Sequence, residues 1–364
     1  MGKLSINLKA LAGNYARIQR EIGANCIAGA AVKADSYGLG MEPVSQALYS
    51  AGCRDFFVAT LQEGIKLRAA LPDVSIACLN GLAIGQEADY AAHNLTPILG
   101  SLDEITRWQT LAQEHGKQLP AILHIDTGMN RHGLPDNELS KLYDAPDYLS
   151  GLNVTTVMSH FACADELSHP MNHAQYQKFM NAMTHFRVIT PRAKFSLCNS
   201  SGIFRSADYH LDLVRPGMAL YGLNPTPETA NPMQAVVSLS VPIIQIKTVE
   251  KQSAAGYNAT YCFDKYETLA IVPLGYADGF HRSLSNNGAL YYNGVRCPVR
   301  GRVSMDLTII DISAIPESDA PRVGDMMQVI GADQSADDLA RAAGTIGYEI
   351  LTSLGARYDR NYVS

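Results

Sequence analysis

Long apolar runs are absent from this 364-residue chain. No stretch approaches the roughly 20 apolar residues that a bilayer span needs, and the opening MGKLSINLKALAGNY lacks the apolar centre of a secretory signal. A soluble, cytoplasmic protein is expected. Charge of one sign is also scarce. Charged residues make up 18% and the formal net charge is -6, so neither nucleic acid nor anionic lipid would meet an attracting field. The seven cysteines are scattered and form no C-x-x-C pair. That pattern excludes a disulfide framework, argues against structural zinc, and leaves reduced thiols. Metal ligation by His169 and His173 is disfavoured too, because Pro170 lies between them and no HExxH motif exists. The single tryptophan, Trp108, falls on an amphipathic segment and is expected in the core.

What the chain does have is 47% hydrophobic residues in a regular alternation. Short β-rich runs occur near 26–33, 55–60, 74–79, 95–99, 120–126, 152–160, 193–198 and 211–215, with helical segments such as 61–71, 101–116 and 172–186 between them. Eight strands alternating with helices predict an α/β domain of the parallel (β/α)8 barrel type. A proline-rich stretch, GLNPTPETANP (222–232), reads as a linker. After it come long β-branched runs at 236–250, 267–276, 288–313 and 323–331, with turn pairs such as Asn293–Gly294 and a helical stretch at 335–343. A mainly antiparallel β-domain is expected there. The predicted division is residues 1–224 for the barrel and 225–364 for the β-domain.

A barrel of this kind presents its chemistry at the C-terminal ends of its strands. The first strand runs apolar into Lys33, followed by Tyr37 and two glycines. A solvated lysine at a strand exit is the plain alternative, but a desolvated amine there would be nucleophilic toward an aldehyde. Strand five leads to Arg131, strand six to His160, strand seven to Asn199–Ser200–Ser201–Gly202 and strand eight to Arg215–Pro216–Gly217. The last two loops supply hydroxyls and backbone N–H groups where such barrels bind phosphate.

The segments AVKADSYGLG, HIDTGMNRHG, MSHFACAD, NSSG, RPGMALYG, AGYNATY, PLGYADGF, GRVSMD and TIGYEIL occur in this order. Together they resemble the bacterial alanine racemases, from residue 31 almost to the C-terminus. The resemblance implies that Lys33 carries pyridoxal 5'-phosphate covalently and serves as one catalytic base. Tyr37, Ser200, Gly217, Met218 and Tyr348 would hold the cofactor's phosphate, and Asn199 would belong to the same set binding the cofactor. His160 would lie against its ring, and Arg215 would face the pyridine nitrogen. Arg131 and the backbone around Met305 would bind the substrate carboxylate. Tyr257 would be the second base, contributed across a homodimer interface. Tyr276, Arg302 and Asp306 would line the passage by which substrate enters. The implied product is D-alanine for cell-wall peptidoglycan. Racemisation needs proton exchange on both faces of Cα, which is why two bases are required.

One position departs from the family pattern. Many relatives carry a lysine that becomes carbamylated where this chain has His124, and a histidine forms no such stable carbamate. Arg131 must therefore be oriented by other means. A racemase of serine or of a wider amino-acid set stays open, as does a decarboxylase of the same plan. The decarboxylase would be expected to place an acid, not Arg215, at the ring nitrogen. A cofactor-binding regulatory protein would resemble the barrel alone, and the motifs after the linker count against it.

Overall fold

The computed structural model describes residues 2–364. Eight short parallel strands follow one another around a closed ring. They are β2 (Ile27–Ala28 and Ala30–Ala31, one strand interrupted at Gly29), β3 (Asp55–Val58), β4 (Ser75–Cys78), β5 (Thr96–Leu99), β6 (Leu119–His124), β7 (Leu152–Met158), β8 (Lys194–Ser196) and β9 (Leu213–Val214). Each pairs with the next from β2 to β8, and β9 pairs with β2. The ring closes where Asp212 N–H donates to Phe195 O at 3.1 Å and Arg215 N–H donates to Cys198 O at 3.0 Å. Glycine suits position 29, since a Cβ there would lie 2.6 Å from the Phe57 ring.

Ala31, Phe57, Ala77, Ile98, Ile122, Met158 and Leu213 fill the inside of the ring. Small and large side chains from successive strands thus make a packed interior, as closed eight-stranded barrels require. Helices α1 (Leu8–Ile22), α2 (Met41–Ser50), α3 (Leu61–Ala70), α4 (Glu87–Ala92), α5 (Leu102–His115), α6 (Asp136–Asp144), α7 (Pro170–Ile189) and α8 (Ser200–Ile203) accompany the strands. Trp108 on α5 is fully buried, and its indole N–H donates to Pro120 O at 3.0 Å. Helix α3 starts with a reciprocal cap between Thr60 and Glu63.

The C-terminal part is mainly antiparallel. Its strands are β10 (Val237–Pro242), β11 (Gln245–Val249), β12 (Ala254–Ala255), β13 (Tyr261–Cys262), β14 (Glu267–Val272), β15 (Ala289–Tyr292), β16 (Val295–Pro298), β17 (Thr308–Asp311), β18 (Met326–Ile330) and β19 (Asp359–Val363). Asn293 and Gly294 both have positive φ and join β15 to β16 in a two-residue hairpin. Helices α9 (Ala336–Ala343) and α10 (Gly347–Thr352) precede the last strand.

Two features differ from the sequence expectation. The stretch Lys3–Asn7, here β1, does not enter the barrel. It lies in the six-stranded β-sheet between β10 and β19, antiparallel to the first and parallel to the second. Its alternating pattern, with Leu4 and Ile6 fully buried, suits a sheet rather than the start of a helix. The proline-rich stretch is also no free tether, because Leu223 is buried and Asn224 N–H donates to Asp337 at 2.9 Å.

Candidate active site

Polar side chains gather at the C-terminal mouth of the barrel because every strand ends there. A cavity of about 1260 Å³ opens at that point. Lys33, Tyr37, Arg131, His160, Asn199, Ser200, Arg215, Gly217, Met218 and Tyr348 all line it, so ten of the expected residues meet in one place.

Lys33 follows β2 directly. Burial lowers its pKa, the positive charge of Arg131 lowers it further, and Glu63 opposes both. The chain then turns the wrong way for L-residues. Ala34, Asp35, Ser36 and Tyr37 have φ between 52° and 57°, a full left-handed turn with no glycine in it. Such a conformation costs roughly 1–2 kcal/mol per residue, and strain of this kind persists only where the surroundings over-determine it. Glu63 is one restraint, with one carboxylate oxygen accepting from Ala34 N–H at 2.7 Å and the other from Ala59 N–H at 2.7 Å. Asp35 accepts from Met41 N–H at 2.9 Å and pairs with Lys66 at 3.3 Å.

The turn delivers the Tyr37 hydroxyl to a corner shared with two other loops. A Cβ on Gly217 would lie 2.2 Å from that oxygen, so only glycine leaves room for it. Ser200 Oγ accepts from Gly217 N–H at 2.9 Å and from Ala219 N–H at 3.2 Å, and Asn199 caps the short helix α8. Tyr348, on α10, donates to Met218 Sδ and packs 5.9 Å from the Tyr37 ring. Hydroxyls, a glycine and loop backbone at one corner, with an amine of lowered pKa nearby, fit a phosphorylated aldehyde such as pyridoxal 5'-phosphate.

Arg215 lies deeper and is only 5% exposed. It donates to Ser196 Oγ, Ser159 O and, at 3.2 Å, His160 Nδ1. Burial draws its pKa down to about 10, which leaves the guanidinium cationic at neutral pH. A guanidinium cannot accept a hydrogen bond, so His160 must accept through Nδ1 and carry its proton on Nε2. Burial and the charge of Arg215 agree with that, holding His160 well below the ordinary imidazole pKa. His124 is likewise neutral, pushed down to about 3 by burial and by Arg215, and its ring meets His132 edge-to-face at 5.3 Å. Arg131 and Arg215 form no ion pair among the described residues. Lys33, Arg131 and Arg215 thus face the inner part of one cavity, a setting for a ligand with more than one anionic group, while Arg341, Asp165, Asp337 and Asp338 line it as well.

The remaining expected residues assemble elsewhere. Tyr257, Tyr276, Arg302, Met305 and Asp306 do not line the Lys33 cavity. They share one surface of the β-rich part. Tyr276 N–H donates to Ser304 O and Ala277 N–H to Met305 O, both at 3.1 Å, while a Cβ on Gly256 would lie 3.6 Å from the Arg302 backbone. Tyr257 is 69% exposed there, and Tyr276 and Met305 are exposed as well.

Residues 6–225 match the family model described as "Alanine racemase, N-terminal domain", and residues 236–362 match "Alanine racemase, C-terminal domain". The chain belongs to the alanine racemase family. It is 48% identical to a catabolic alanine racemase of Agrobacterium fabrum, covering 100% of this chain and 92% of that one. It is 44% identical to the alanine racemase of Rickettsia canadensis, over 99% and 98%. Among solved structures, the alanine racemase of Bartonella henselae with covalently bound pyridoxal phosphate superposes with a TM-score of 0.95 at 38% identity, covering 100% of this chain and 99% of that one. That of Streptomyces coelicolor gives 0.93 at 33%, over 100% and 98%.

Some residues that support the cavity wall without lining it escaped the sequence reading of this racemase-family chain. Ser159 and Ser196 hold Arg215, and Glu63 holds the lysine turn. Ser196 ends β8 and was open to the same strand-end rule that selected Lys33. Glu63 was legible only as the N3 residue of a helix cap.

Proposed function

We propose that this chain interconverts L- and D-alanine with pyridoxal 5'-phosphate, Lys33 attaching the cofactor at the barrel mouth. One observation carries the reading: along a chain that matches both racemase domains, a lysine of lowered pKa opens onto a corner of Tyr37, Ser200, Gly217 and Tyr348. When bound, the cofactor supplies an electron sink for the charge left when Cα loses its proton. The protein's part is to hold, orient and exchange protons. Lys33 Nζ acts as base on one face of Cα and Tyr257 Oη on the other. Arg131, free of any carboxylate partner among the described residues, holds the substrate carboxylate with the Met305 backbone. Arg215 offers only donors and a fixed positive charge toward the ring nitrogen, and neutral His160 lies beside it. Tyr276, Arg302 and Asp306 line the way in.

The division into a barrel over 1–224 and a β-domain over 225–364 belongs to the same reading, with β1 crossing between them. So does a homodimer. Exposed Tyr257, Tyr276 and Met305 form a surface that a second copy would cover, each copy lending Tyr257 to the other's Lys33. A cytoplasmic location and a supply of D-alanine to peptidoglycan complete it.

Purified protein loaded with pyridoxal 5'-phosphate and given L-alanine should yield D-alanine in a chiral assay, with L-serine and L-lysine turned over far more slowly. No D-alanine, or equal rates with all three, would overturn the substrate assignment. For assembly, mixing Lys33→Ala and Tyr257→Phe chains should restore about a quarter of the sites, because half the random dimers are hybrids with one complete site each. No recovery under conditions that exchange subunits would favour delivery within one chain.

A further inference from the structure

The last strand of the chain reaches back to the lysine turn. Strand β19 runs parallel to β1, with Leu4 opposite Arg360 and Ile6 opposite Tyr362. Residues two apart on a strand project to one side, and here both side chains end on the same short segment. Arg360 Nη1 donates to Gly38 O at 2.6 Å, and Tyr362 Oη donates to Leu39 O at 3.0 Å. These carbonyls follow directly on the left-handed turn of Ala34–Tyr37. The fit leaves no slack. A Cβ on Gly40 would lie 2.2 Å from Tyr362 Oη, and one on Gly38 would lie 2.5 Å from Leu351 O. Arg360 has a second attachment, its Nη2 donating to Leu354 O at 3.3 Å and Gly355 O at 3.2 Å, just after α10. A single guanidinium therefore ties the turn carrying Lys33 and Tyr37 to the segment after Tyr348, two walls of one cavity.

We propose that Arg360 and Tyr362 are positioning residues for the cofactor site, acting through the lysine turn rather than by touching cofactor or substrate. The inference rests on the reading of Lys33 given above. The turn is restrained at its start by Glu63 and within by Asp35, both from the barrel part. Its exit is held from the C-terminal strand, more than 300 residues away in sequence. Arginine suits this role because it can donate to several carbonyls at once from a fixed plane. The proposal assigns the C-terminal strand a part in aiming Lys33 and Tyr37, beyond its pairing with β1.

The test uses the full-length holoenzyme. Tyr362→Phe keeps the ring and removes one donor. Pyridoxal 5'-phosphate should dissociate roughly three- to tenfold faster, and the pH midpoint of the bound cofactor's visible absorbance should move. Arg360→Met should give a larger change, roughly tenfold or more, with partial rescue by Arg360→Lys. The kcat should fall while KM for alanine holds, since Arg131 is untouched. Variants with lowered Tm but unchanged cofactor dissociation and unchanged pH midpoint would overturn the proposal, leaving the two residues merely structural. If Arg360→Met does not fold, Tyr362→Phe decides by the same measures. Borohydride reduction of the wild type separates the two layers of argument. A pyridoxyl label on a lysine other than Lys33 removes the underlying reading and the proposal with it. A label on Lys33 together with wild-type behaviour of both variants removes the proposal alone.

Discussion

At the barrel mouth Lys33 sits half-buried beside two guanidinium groups, and the turn after it is held by Glu63, Asp35, Arg360 and Tyr362. On the β-rich part Tyr257 stands exposed on a short turn after Gly256, where Asn258 and Ala259 also have positive φ. The first region is complete within one chain. The second presents aromatic and thioether side chains to solvent, although burying such groups is what usually stabilises them. The contrast sets a cavity walled by one chain against a cluster left open to solvent, which on the proposed reading are the cofactor site and the second base's side of the proton transfer. The dimer reading follows from that incompleteness, and the comparison can be broken at either end.

The largest effect is expected at the completed end. Lys33→Ala should abolish covalent cofactor attachment and reduce racemisation by at least roughly 10⁴-fold, since on the proposed reading one residue is both the anchor and a base. Substantial activity in this variant would show that the barrel mouth is not where the chemistry occurs. At the exposed end, Tyr257→Phe preserves ring volume and removes the proton carrier. Racemisation should fall roughly 10²-fold or more while cofactor absorbance stays that of the wild type. Near-normal turnover in both directions would leave Tyr257 an ordinary surface aromatic.

Within the completed region, Arg215 tests whether the buried cation sets the outcome of the reaction. On the proposed placement of Arg215 at the ring nitrogen, its positive charge would disfavour a protonated nitrogen, weakening the cofactor as an electron sink and keeping Cα reprotonation ahead of side reactions. Arg215→Glu should bring long-wavelength absorbance and more transamination per racemisation event. The ratio should change roughly tenfold, the size of a one-unit pKa change. A variant that folds, binds cofactor and shows neither change would mean that Arg215 serves only to tie Ser159 and Ser196 together.

Most of the barrel was legible because each strand is a short apolar run and several helices carry a clear period or a side-chain cap, as at Thr60 and Ser101. Seven of the eight expected runs contain the observed strands, and the run at 120–126 overlaps Leu119–His124, which starts one residue earlier. Lys33, Arg131, His160, Ser200 and Arg215 were legible for one further reason, that strand ends converge in a barrel. The left-handed turn was not. Ala34, Ser36 and Tyr37 have no local preference for positive φ and Asp35 only a weak one, so the conformation depends on partners outside the turn, Arg360 and Tyr362 among them far off in sequence. The place of β1 was hidden in the same way, because its partners are near residues 240 and 360. Whether Tyr257 acts within its own chain or in another is fixed by an interface, and no pattern along one strand encodes that.

The smallest expected effect concerns His124, the last residue of β6. It is 7% exposed, and its pKa falls from 6.5 to about 3 because burial and Arg215 oppose a second positive charge there. The sign of the consequence follows from proton counting. Between those two values the unfolded chain binds a proton at this position and the folded chain does not, so stability declines as the pH is lowered from 6.5. From pH 6.5 to 5 this one group should cost on the order of 2 kcal/mol. His160, depressed in the same direction, adds to the decline. His124→Asn removes the titrating ring and keeps a polar side chain of comparable reach. Chemical denaturation of wild type and variant at pH 7 and pH 5 should therefore show a shallower loss in the variant, whatever its stability at pH 7. Equal losses would mean that His124 is hydrated and able to charge in the folded state. The completed region would then owe less to burial than its geometry implies, and the contrast with the Tyr257 surface would narrow.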